Sequence, residues 1–124
     1  MKRTGIVKHE TYMEHVMDPG HPESPERLRA IYQMLEEKEM KGQVELIKPR
    51  EATREELLAI HSADYIDLVA STAGKAHYRL DMDTSTSAKS YEAALLAAGG
   101  FIELIKAVME GKLDNGFALV RPPG

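Results

Sequence analysis

The sequence predicts an α/β domain: a short parallel sheet of about three strands with flanking helices. Two observations carry this expectation. Hydrophobic periodicity gives the element order β-α-β-α-α-α-β, which favours a layered parallel sheet. The last of these runs, Phe117-Ala118-Leu119-Val120, is continuously apolar and bounded by turn residues, as a strand buried on both faces would be.

Residues 4–8 form the first β-friendly run, and the polar stretch 9–24 follows as a long loop. Ser24-Pro25-Glu26 starts a helix, with Ser at the N-cap, Pro at the first helical position and a carboxylate in the first turn. Leu28, Ile31, Tyr32 and Leu35 recur at helical spacing, and Gly42 should stop the helix. Residues 44–47 read as the second strand. Thr53 and Glu56 form a capping box for a short helix over Leu57, Leu58 and Ile60, and Ser62 can cap the next.

A polar loop is expected over residues 74–87, then the longest helix over 89–110. Tyr91, Ala94, Leu95, Ala98, Ile102, Ile105 and Met109 mark its expected apolar side. Gly99-Gly100 would cost that helix about 1 kcal/mol per glycine against alanine, which close approach of a neighbour would offset. Asn115-Gly116 turns the chain into the final strand. Ligands in open α/β sheets sit beyond the carboxyl ends of the strands, so the segment after residue 120 is where a functional loop should start.

Bulk properties set limits. The 124 residues suit one domain. A net charge of −4 without a Lys/Arg run gives no nucleic-acid footprint. The absence of cysteine excludes disulfides and thiolate metal sites. The opening segment is too polar for a secretory signal and no apolar run approaches a membrane span, so a soluble cytoplasmic protein is expected.

His9, His15 and His21 share one loop with Glu10, Glu14 and Asp18, but spacings of six fit zinc poorly and read as solvated loop histidines. Asp81 to Ser87, with Glu92, imitates a calcium loop. That match fails at its sixth position, Thr86 in place of glycine, and at its ninth, Lys89. The alternative is an Asx/Ser-rich loop leading into a helix cap. Arg121-Pro122-Pro123-Gly124 makes a rigid departure from the sheet, since neither proline can donate to a ladder. Tyr12, Tyr32, Tyr65, Tyr78 and Tyr91 are scattered singly, and those on helices read as core rather than catalytic.

Six pieces, in order, resemble the amino-terminal region of the histone deacetylase superfamily, in its class II-like branch with bacterial acetoin-utilisation proteins and acetylpolyamine amidohydrolases. They are HPESPERL from His21; PREAT from Pro49 with Glu56-Leu57; HSADYI from His61; DMDT from Asp81; SYEAA from Ser90 through Gly99-Gly100; and NGFALVRPPG from Asn115. The resemblance implies a partial three-layer arginase/deacetylase-like fold with its strands ordered second-first-third. It implies that the family's catalytic histidine pair, zinc ligands and transition-state tyrosine lie beyond the last run, so that no catalytic or metal residue is expected here. Zinc would belong to the complete enzyme.

Asp83 matches the rim residue that accepts a hydrogen bond from the substrate lysine backbone. Residues 15–24, including His21, match a loop shaping the tunnel mouth, so Asp83 and His21 are the expected substrate-binding residues. Arg27 matches an arginine near the internal channel, with a helix-surface ion pair as the alternative. Two functions follow: an amino-terminal piece of a zinc-dependent deacetylase of acetyl-lysine or acetylpolyamine, inactive alone, or a non-catalytic, self-associating scaffold. The strand over residues 117–120 would become an exposed edge. Partners would be a second copy through that edge, or the missing carboxy-terminal half.

Overall fold

A computed structural model describes residues 2–123. Three parallel strands, β1 (Thr4–Val7), β2 (Glu45–Ile47) and β5 (Asn115–Ala118), form a sheet in the order β2-β1-β5. This is the expected order. In register, Ile6 lies between Leu46 and Phe117, and Val7 between Ile47 and Ala118. Between β1 and β2 come a 3-10 turn (Glu10–Glu14) and helix α1 (Pro25–Leu35). Between β2 and β5 lie α2 (Arg54–Leu58), α3 (Ala63–Ser71), a hairpin of β3 (Tyr78–Arg79) and β4 (Ser85–Thr86), and the long helix α4 (Ser90–Met109). Among the described residues no helix is long and apolar enough to cross a membrane.

Local signals set most element boundaries. Pro25 opens α1 behind Ser24, although the Ser24 side chain makes no capping bond. The helix stops at Leu35 rather than continuing to Gly42, because residues 36–39 are all charged and exposed and offer the core nothing to bury. Thr53 and Glu56 complete the capping box of α2, and Ser62 caps α3 through the Tyr65 N–H. The polar stretch 74–87 is not a plain loop. It folds back as the β3–β4 hairpin, burying Ser85 and Thr86.

Helix α4 corrects the expected burial pattern. Its buried face is Ala93, Ala97, Gly100 and Leu104, with Ser90 and Gly99 beside it, not the Tyr91–Ala98–Ile105 side. Small residues win because the sheet and the loop after β2 press directly on the helix. A methyl group on Gly99 would collide with the Arg50 carbonyl, and one on Gly100 would crowd Val7, Pro49 and the Tyr12 hydroxyl. The bulkier side is left half-covered, with Phe101, Ile105 and Met109 exposed.

Strand β5 is likewise not buried on both faces. It is the edge of the sheet and Phe117 is 64% exposed. Gly116 meets Leu104 of α4, so the alternation puts Phe117 on the other face with Ile6 and Leu46, and of these three register partners Ile6 alone is buried. At the other edge of the sheet, Arg50 after β2 ties two helices to the scaffold, pairing with Glu56 of α2 at 2.8 Å and Glu103 of α4 at 2.7 Å.

Candidate functional site

The carboxyl ends of β1 and β5 send two segments to the same edge of the sheet: the loop after β1, and residues 119–123 after β5. What joins them is Arg121. Its side chain is wholly buried and uses four of the five N–H donors a guanidinium carries. Nε and Nη2 make a two-pronged contact with Glu23 at 2.7 Å each, while Nη1 donates to the carbonyls of Tyr12 (3.1 Å) and His15 (2.6 Å). Burial pushes the Glu23 pKa up, but hydrogen bonds from Arg121 and Arg27 outweigh it and hold the carboxylate below its usual range.

His15 extends this network. Far from being solvated, it is buried, with Nδ1 2.6 Å from Ser90 Oγ at the start of α4. Ser90 Oγ accepts from the Ser87 N–H, and Ser87 Oγ bonds the Glu14 carbonyl and the Val16 N–H. Burial, reinforced by the positive charge of Arg121, lowers the His15 pKa to about 4 and keeps the ring neutral. His9 instead caps its own turn, accepting from the Thr11 N–H. Tyr12, outside any expected helix, is fully buried and donates to the Leu96 carbonyl. Tyr32 is buried as expected of a helical tyrosine, whereas Tyr65 is 46% exposed.

The two expected substrate-binding residues meet. His21 Nδ1 accepts the Glu23 N–H, so Nε2 carries the proton and reaches both the carbonyl and Oδ1 of Asp83, each at 3.1 Å. Asp83 sits at the hairpin tip with its side chain 91% exposed. Its N–H donates to Asp81 Oδ1 at 2.8 Å, an Asx turn rather than a calcium loop. Arg27 lies at the surface, paired with Glu23 at 3.1 Å, so its contact is the helix-surface ion pair.

Beside this rim lies an apolar cleft of about 400 Å³ between α3, α4, the hairpin and the segment after β5, lined by Tyr65, Tyr91, Phe101, Val120 and Pro122. Pro122 and Pro123 reach its wall, as a rigid exit from the sheet would require; Gly124, the last residue of that run, lies outside the described residues.

Residues 21–124 match the histone deacetylase domain. The chain belongs to that family. It is 37% identical over 123 residues to a probable deacetylase of Archaeoglobus fulgidus, covering 98% of this chain and 34% of that protein. Against histone deacetylase 5 of Arabidopsis thaliana it is 35% identical over 132 residues, covering 99% of this chain and 20% of the relative. The crystal structure of the HDA15 HD domain matches with a TM-score of 0.91 at 36% identity, over 99% of this chain and 36% of that one. The chain therefore spans between a fifth and about a third of the length of the relatives it matches.

Zinc, which the family implies, would polarise an acetyl carbonyl and activate water. The described residues do not fit it. No group of three or more His, Cys, Asp or Glu side chains among them could hold a metal, and the His21–Asp83 contact falls short of the three protein ligands a catalytic zinc takes.

Sequence reasoning missed Arg121 as the hub of the rim, having read it only as a lead into a loop. A signal was present. An arginine placed directly after an apolar run at the end of a strand must, if its side chain turns into the core, find a carboxylate and carbonyls to share its burial.

Proposed function

We propose that this chain is the amino-terminal portion of a zinc-dependent deacetylase, forming the scaffold and one side of the substrate tunnel mouth. The reaction would be hydrolysis of the amide of acetyl-lysine or an acetylpolyamine. The observation that carries this reading is the His21–Asp83 contact at the carboxyl edge of a deacetylase-family sheet. With Oδ1 engaged by His21, Asp83 keeps a second carboxylate oxygen, Oδ2, to accept an N–H from a substrate backbone. By itself the chain would not turn over, because none of the described side chains converge as metal ligands. A cytoplasmic setting is part of the reading, to be checked by cell fractionation.

The test is reconstitution. The purified chain should release no acetate from an acetyl-lysine peptide or N-acetylpolyamine. Adding the remaining two thirds of a deacetylase domain should restore chelator-sensitive release, and substituting Asp83 with Asn should then raise KM more than it lowers kcat. Acetate release by the purified chain alone would overturn the inactivity.

A second reading has its own support. Phe117 stands exposed on an unpaired parallel edge, a template for another strand. In that reading the chain is a non-catalytic scaffold that associates with a second copy through β5.

A further inference from the structure

A two-pair hairpin is too short to fix its own tip, since paired strands normally run about five or six residues. Yet the tip that carries Asp83 is tied to the tunnel-mouth loop at two separate places. One is His21. The other is Asp18, whose Oδ2 accepts from Arg79 Nη2 at 2.9 Å and whose Oδ1 meets His77 Nε2 at 3.2 Å. Arg79 uses its remaining arm to donate from Nη1 to the carbonyl of Met82 at 3.0 Å, one residue before Asp83. Met82 itself is 95% exposed, so no packing holds this turn.

We propose that Asp18 and Arg79 act as one clamp that positions Asp83, by fixing the peptide just before it against the loop that carries His21. The proposal deepens the reading of Asp83 as the substrate acceptor and rests on it for its functional meaning. The hydrogen bond from Arg79 holds the Asp18 carboxyl below its ordinary range. Exposed ion pairs of this kind add little to global stability. Their effect is local order: Arg79 spans the Asp18 carboxylate and the Met82 carbonyl at once, a reach that a planar guanidinium has and a single ammonium lacks.

The experiment uses the whole chain and compares Asp18→Asn, Arg79→Met and the double variant. Amide hydrogen exchange of residues 81–84 and the side-chain carboxyl resonance of Asp83 are read by NMR. Each single variant should speed exchange of the Asp83 amide by roughly three- to fivefold, the scale of an exposed ion-pair network. Amides in β1 and α4 should be unchanged, which shows that the fold is intact. The double variant should match the singles rather than multiply them, since both remove one clamp. An Asp83 amide and carboxyl signal indifferent to both substitutions would overturn the clamp, as would multiplicative effects. A separate arm titrates an acetyl-lysine peptide into the wild type. If Asp83 ignores the peptide while the exchange data still show coupling, the substrate reading fails and the clamp stands.

Discussion

Arg121 is the side chain on which the rim depends. Removing one partner of a buried ion pair strands the other, so Arg121→Met should cost about 3–5 kcal/mol in urea unfolding. Arg27→Met, which breaks only the exposed arm of the same Glu23, should cost at most about 1 kcal/mol. His15 makes a prediction in pH. Its ordinary pKa of 6.5 falls to about 4 in the fold, so across that window the unfolded chain takes up a proton that the folded chain refuses. Stability should therefore decline as pH drops from about 6.5 to about 4 and then level off for this group, by about 3 kcal/mol in all. His15→Asn should flatten that part of the curve, read as melting temperature against pH. The contact partners of His21 and Asp83 could not be read from sequence, because 62 positions separate them. Their candidacy came from motif resemblance, and only folding back of the hairpin brings them together.

At the scale of elements, the signals that were legible are those whose cause is local. The Thr53–Glu56 box needs two intervening positions and no tertiary contact, and Thr53→Ala should lose about 1 kcal/mol. The buried side of α4 was misread because hydrophobic size pointed one way and proximity the other. Tyr91, Leu95 and Phe101 lie along the cleft, while the sheet selects glycine and alanine for approach. Gly99→Ala should accordingly be worse than its helix propensity suggests, since the new methyl meets the backbone of Arg50, which has no rotamer to yield. A loss of about 1–3 kcal/mol is expected from such overpacking, against a gain of about 1 kcal/mol for the same change on an exposed helix. The hairpin was missed for a similar reason: two pairs of residues leave almost no alternation to detect.

For the whole molecule, the parallel order β2-β1-β5 was expected from the resemblance and is what the chain forms. The covering of that sheet was not legible, because burial of a strand depends on neighbours that its own residues do not encode. Phe117 and Leu46 flank Ile6 and stand 64% and 61% exposed. If the second functional reading holds, sedimentation will show association that rises with concentration, and Phe117→Lys will abolish it without lowering the melting temperature. The same sheet also governs when the protein can fold. The central strand begins at residue 4 and draws its two neighbours from residues 45–47 and 115–118. Such long-range pairing must close a large loop before any contact rewards it, which slows folding. During synthesis β1 would leave the ribosome long before β5 exists, and the sheet would wait, half-paired and open to wrong partners, until residues 115–118 have emerged.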